Sequence, residues 1–398
     1  MKKMILPLLA VFLTIPLFSQ ASFSGKAEMN ITANAPESLD SESLFSRDDL
    51  GITDLSMLSS LTAKIDAGDE KTTFSAWFSL GESTAPERSD YSLNLLRLSA
   101  LIYINNTISV ETGRQSMLTG YGYGWNPIDF ANPQKDPSDP DAELKGVDAV
   151  SLRIYPNETI SLKLYALLPE SPSEEGWTYG ETKAGTEMTL YLPGIELMLS
   201  GFWDDENSKE SDGYTPALGT AAILDLWGAG IYSELALRKG SRNLFPTASS
   251  IGERKTDWLF SGLLGLEYTF KSGLSSVVEY FYNGEGYNKS ERSDFESALP
   301  IIPDLFDHYS PGYFGRHYFL LNLSQPFYDI NTEITISALI APDSGALTLL
   351  PAVTHNFSGS FSVQFGYTGL FDLDSHDFNE LSAWPMRHSM NALCIYSF

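Results

Sequence analysis

Cysteine is nearly absent from this chain. The one cysteine, Cys394, has no partner for an intramolecular disulfide, so cross-links do not hold the fold together. Long apolar runs are also missing. The stretch from Met4 to Phe18 is too short for a good membrane-spanning helix and no later stretch approaches 18 apolar residues, which argues against a helical membrane protein. Basic residues are few, with 25 Lys and Arg against 51 Asp and Glu and a formal charge of −26, so nucleic acid is not an expected partner. Of the five histidines, His308, His317, His355, His376 and His388, none falls at the helical spacing of a metal-ligand pair. A P-loop, a nucleotide-binding glycine fingerprint and a Cys-x-x-Cys motif are all lacking. An enzyme, a cofactor and a metal centre are therefore not expected.

The chain does have a leader. Lys2 and Lys3 precede the apolar run, and Ser19-Gln20-Ala21 supplies a small-x-small cleavage site, so residues 1–21 read as a signal peptide for export. Residues 22–398 then read as one domain.

Within that domain about 18 segments of strand character can be placed, with 16 as the alternative count; each is long enough to cross a bilayer at a tilt. Several alternate cleanly. Ile160, Leu162, Leu164 and Ala166 share one face while Ser161, Lys163 and Tyr165 share the other, because successive strand side chains point to opposite sides. Residues 330–341 and 361–371 repeat the scheme. The links alternate too: brief ones such as Pro193-Gly194 and Trp227-Gly228, then long polar ones such as 34–54, 81–90, 116–145 and 285–312. An all-β fold follows, a closed antiparallel transmembrane β-barrel with short periplasmic turns and long extracellular loops. Its location is the outer membrane and its solvent is outer-membrane lipid.

The segment 111–155 carries Gly113-Arg114-Gln115, Gly124-Trp125, Asn126-Pro127-x-Asp129 and a Gly146-x-Asp148-Ala149 restart. It resembles the strand-loop-strand segment of porin-like outer-membrane barrels of Gram-negative and spirochaete bacteria, the alginate-export type being the nearest. The final residues, with Asn391, Tyr396 and terminal Phe398, resemble the signal read by the barrel-assembly machinery, which that likeness makes a partner.

Projection of the strands onto the lumen gives basic Lys26, Arg97, Arg153, Lys163, Lys183, Arg238 and Arg316, and acidic Glu28, Glu111, Glu187, Glu196, Glu234, Glu267, Glu279 and Glu333. Mixed charges of this kind filter small solutes in a wet pore, or pair across strands and stiffen the wall. Arg97, Glu111, Arg153 and Lys163 come from consecutive strands flanking the longest loop and form the expected selectivity cluster. Reversal of Arg153 and Lys163 to glutamate is then expected to favour cations. The loop 116–145, with Trp125, Asn126, Asp129 and Asp136, is expected to fold inward and narrow the channel, and 285–312 to form a lid. The function these features imply is passive diffusion of small hydrophilic solutes or ions. The alternative is a surface-exposed adhesin or structural barrel with a shut pore. Nothing in the pattern specifies an oligomeric state.

Overall fold

The computed structural model describes residues 20–35, 45–47, 52–85, 88–168, 183–204, 216–247, 250–373, 378–382 and 384–398. Most of the expected leader, and the links over 169–182 and 205–215, lie outside the described residues. The first strands are β1 (Gln20–Asn34), β2 (Leu55–Gly68), β3 (Thr72–Ala85), β4 (Arg88–Tyr103), β5 (Ile108–Gln115), β6 (Val147–Asn157) and β7 (Ile160–Leu167). Then follow β8 (Lys183–Leu192), β9 (Ile195–Asp204), β10 (Ala217–Leu226), β11 (Ala229–Lys239) and a small hairpin, β12 (Leu244–Thr247) with β13 (Ser250–Arg254). The series closes with β14 (Trp258–Thr269), β15 (Ser275–Tyr282), β16 (His317–Phe327), β17 (Thr332–Ala341), β18 (Ala346–Asn356), β19 (Phe361–Asp372) and β20 (His388–Ser397).

Apart from the β12–β13 hairpin these strands form one 18-stranded sheet in which neighbours in sequence pair antiparallel, and β20 returns to pair with β1. The sheet is a closed barrel. Closure is completed at the last residue, where Gly25 and Phe398 exchange backbone hydrogen bonds of 2.9 and 3.0 Å. A side chain at Gly25 would run into the Thr62 carbonyl and the Phe398 ring, so glycine is needed for this seam. The Phe398 ring lies 5.4 Å from that of Phe23.

Local chemistry sets the turns. Pro193-Gly194 and Trp227-Gly228 are tight hairpin connections whose glycines have φ of 75° and 81°, the left-handed region that such turns demand. One expectation about the links needs correction, and two further links carry structure of their own. Residues 81–90 are not a long loop, because β3 continues to Ala85 and β4 starts at Arg88. The link 240–257 carries the β12–β13 hairpin. The link 283–316 carries a helix, α1 (Lys289–Ala298), and a 3-10 turn, Pro303–His308. A capping box starts α1: the Asn288 side chain accepts from the Glu291 N–H, and the Glu291 carboxylate accepts from the Asn288 N–H.

Cross-strand partners share a face, so the register sorts every residue. Ile334, Ile336, Leu199, Phe365 and Met390 lie outward and exposed. Among the outward strand positions whose side chains are described, Asp, Glu, Lys and Arg occur only as Glu82, Arg114, Asp148 and Lys239. All four lie toward the end of the barrel that carries the long loops, and Arg114 and Asp148 neutralise each other at 2.6 Å. The charged strand residues otherwise point inward.

Inside, the barrel wall is only partly polar. Ala149, Tyr165, Leu167, Phe202, Ala217 and Ala236 of β6–β11 form an apolar patch on the inner wall that packs Met117, Ile128 and Phe130 of the β5–β6 link. A second patch, Tyr232, Leu263, Phe281, Tyr318 and Leu320, packs Trp125. A third cluster, Tyr287, Phe295, Leu305, Phe314 and Phe378, roofs the loop end.

Candidate functional site

The link 116–146 does not stand out in solvent. It folds into the barrel and is fastened to the far wall. Thr119 donates its hydroxyl to Glu187 on β8 at 2.6 Å. The Gly-Tyr-Gly-Tyr-Gly run 120–124 follows, and here two inward carboxylates seize the backbone. Glu234 on β11 accepts the N–H groups of Tyr121 and Gly122 at 2.6 and 2.8 Å and that of Ile128 at 3.4 Å. Glu279 on β15 accepts those of Tyr123 and Gly124 at 2.5 and 2.8 Å, and the Tyr232 hydroxyl at 2.8 Å. Gly120 has φ of 103° and a Cβ there would run into the Glu234 carboxylate, so the close approach depends on glycine.

Trp125 is fully buried. It stacks on Phe281 at 5.2 Å and donates Nε1–H to the Gly312 carbonyl at 3.0 Å, which joins the inward loop to the roof. Arg238 makes a second joint, donating to Pro127 O at 2.5 Å and to Glu285 at 2.6 Å. Lys135 caps the Gly122 and Tyr123 carbonyls at 2.8 and 3.2 Å, and burial pulls its ammonium below the usual lysine range. Burial also pushes the Tyr121 and Tyr123 hydroxyls well up, helped by Glu196 and Asp141, so both stay protonated and donate to those carboxylates at 2.8 and 3.0 Å. On the return limb Glu143 pairs with Lys64 of β2 at 2.9 Å. The loop thus spans the lumen.

The expected selectivity cluster divides into two. Glu111 accepts from Ser99 at 3.0 Å and lies 3.8 Å from Arg153, which faces Lys163 in register. Arg97 instead lies over the Trp77 ring at 3.8 Å, with Lys64 over the same ring at 4.1 Å. Lys163 and Glu187 are lumen-side yet buried beneath the loop, paired at 3.3 Å. Lys183 pairs with Asp204 at 3.1 Å, and Glu267 faces inward toward the turn end beside Gly230. Arg316 is a correction: it precedes β16, off the strand wall, and holds Gly286 O and Glu291 of the roof. Trp125 and Asn126 lie in the inward loop. Asp129 and Asp136 mainly fold the loop itself, accepting from the Asn132 and Ser138 N–H groups at 3.1 and 2.8 Å, and burial raises Asp129. Asn391 faces the lumen, and Tyr396 lies outward beside Phe398.

Missing from the expectation is the anchoring role of Glu234 and Glu279. A signal existed in the five-residue Gly-Tyr alternation, which exposes consecutive N–H groups with little side-chain obstruction. Among the described residues no group of three His, Cys, Asp or Glu is placed to hold a metal.

Beside the loop lies a cavity of about 650 Å³, between its residues 138–141 and the inner wall from β16 through β20 to β1. Charges lining it are Asp139, Asp141 and Glu333, all acidic. Burial, then Asp136 and Asp141, raise Asp139 above the usual carboxylate range.

A pH-sensitive joint sits above the loop. Glu380 is buried and accepts the Tyr318 hydroxyl at 2.7 Å and the Gly312 N–H at 3.3 Å; burial pushes its carboxyl up to about 7. Raised in the folded state above 4.5, this group contributes stability that is full below about pH 4.5 and is lost as pH rises through about 7, roughly 3 kcal/mol in all. Thermal unfolding compared at pH 5 and pH 8 is expected to show a fall in midpoint that is smaller in Glu380→Gln. An identical fall in both proteins would contradict the assignment.

No protein-family model matches the chain, and no curated protein matches it either. Solved structures that it resembles include two engineered variants of the porin of Rhodopseudomonas blastica, one at 13% identity and a triple mutant at 12%. Each has a TM-score of 0.47 over 95% of this chain and 100% of that one.

Proposed function

We propose that this protein is an outer-membrane diffusion channel narrowed by its own 116–146 loop. The observation that carries the reading is the sorting of charge by the wall: outward positions whose side chains are described hold Asp, Glu, Lys or Arg only near the loop end, while the other charged strand residues face inward. An apolar exterior suits hydrocarbon and a polar bore suits water. Short turns then face the periplasm, and the leader 1–21 directs export. The barrel-assembly machinery reads Asn391, Tyr396 and Phe398, and outer-membrane lipid covers the outward face. Small hydrophilic solutes pass through the cavity beside the loop.

The segment that resembles alginate-export barrels, 111–155, builds β5, the inward loop and β6. An anionic polymer suits this bore poorly, since the charges lining its free cavity are acidic. Planar-bilayer recording of the refolded protein is expected to give discrete openings with a modest preference for K⁺ over Cl⁻. Insertion without any conductance would overturn the channel and favour a closed adhesin barrel.

A further inference from the structure

We infer that the solutes this channel serves best are small neutral polyhydroxylated molecules, with ions of either sign as poorer cargo. The inference deepens the channel reading and rests on it. It comes from where the charges went. Lys163, Glu187, Arg238 and Glu285 are sealed beneath the loop in close ion pairs, and Lys183 is tied to Asp204, so their fields are spent locally. The wall facing the free cavity is of another composition. From β16 to β1 its polar lining includes Asn322, Thr335, Gln364, Ser389, Asn391 and Asn30, and its one charged member, Glu333, accepts the Ser324 hydroxyl.

Hydroxyls and amides both donate and accept hydrogen bonds, so each hydroxyl of a sugar-like solute that sheds a water finds a replacement whichever way it turns. A bare ion gains far less from such dipoles than it loses in hydration. The lining is also held in place: the Asn322 amide donates to the Ser337 hydroxyl at 2.7 Å, and the Asn391 amide lies across Gly366, close enough that a Cβ there would strike it. Among the described residues lining the cavity only Tyr123, from the loop, is aromatic, so recognition there is by hydrogen bonding and not by stacking on a row of rings. Asp139 and Asp141 opposite add a repulsion for anions.

Swelling of proteoliposomes containing the full protein in iso-osmotic glucose, gluconate and glucosamine compares one size at three charges. Glucose is expected to enter fastest, gluconate roughly fivefold or more slower, and glucosamine no faster than glucose. Gln364→Leu with Asn322→Leu is expected to slow glucose several-fold while the K⁺/Cl⁻ reversal potential stays put, and the near-isosteric Thr335→Val gives a milder version should the double variant misassemble. Gluconate as fast as glucose, glucosamine several-fold faster, or glucose entry unchanged in both variants would overturn the inference and leave the channel intact. Absence of both swelling and conductance would overturn the channel reading, and the inference with it.

Discussion

Replacement of Glu234 and Glu279 together by alanine is expected to raise single-channel conductance several-fold. These carboxylates satisfy five backbone N–H groups of the 120–128 segment, and no other pair of side chains in the described lumen holds so much of the loop. A hydrogen bond to a charged group contributes about 1.5–3 kcal/mol, and an N–H left buried without a partner costs about 1–3 kcal/mol. Loss of only two such bonds, about 3–6 kcal/mol, shifts a docked-to-released equilibrium by at least a hundredfold. The released loop seeks water for its amides and vacates the bore. Glu234→Gln and Glu279→Gln should give a smaller rise, since a glutamine oxygen still accepts but its amide N–H₂ opposes the neighbouring donors. A folded double-alanine variant with wild-type conductance would show that the loop is held by its apolar contacts alone.

Lys163→Met is expected to lower the stability of the assembled barrel by about 3–5 kcal/mol, because it strands Glu187 in a site from which water is excluded. The companion substitution Glu187→Gln should return most of that loss, since the uncompensated charge is what costs, and the Thr119 hydroxyl keeps a partner. The readout is the temperature at which the folded band converts to the unfolded one on a gel, for each single variant and the double. This changes what charge reversal can report. Arg153, half-exposed in the lumen, can carry a selectivity measurement; Lys163→Glu would place two carboxylates in contact under the loop and is expected to impair assembly before it alters selectivity. Additive losses in the double variant would contradict the pairing.

The barrel itself is legible in the sequence because a strand with an apolar face outward and a polar face inward must alternate, and β7, β17 and β19 do so until inward Leu167, Leu339 and Leu370 near their loop ends. Each of the 18 barrel strands falls on a segment of expected strand character. Boundaries are lost where the pattern has no reason to change: Glu82 and Tyr91 are polar enough to suggest a loop, yet β3 and β4 simply extend as a paired ribbon beyond the main apolar band. Inward Leu167, Phe202 and Phe281 break the polar-inside rule, and the break has a meaning because these residues pack the loop. That packing joins residues more than a hundred positions apart, such as Tyr121 with Glu234 and Trp125 with Gly312, and period-two reasoning sees only one strand at a time. Candidate lumen charges are therefore visible in the sequence without their partners. Arg316 reads as a wall residue because the pattern starts its strand at 313, four residues before His317 begins it.

The central claim is that one wall separates hydrocarbon from water, residue by residue, and thiol labelling tests it most directly. In a Cys394→Ala background, single cysteines placed at Ile334, Thr335, Ile336 and Ser337 of β17 are exposed, in intact outer membranes, to a small membrane-impermeant maleimide. Labelling is expected at 335 and 337, whose side chains face the cavity, and not at 334 and 336, whose side chains point outward. Equal labelling at all four positions, or the reverse alternation, would contradict the account.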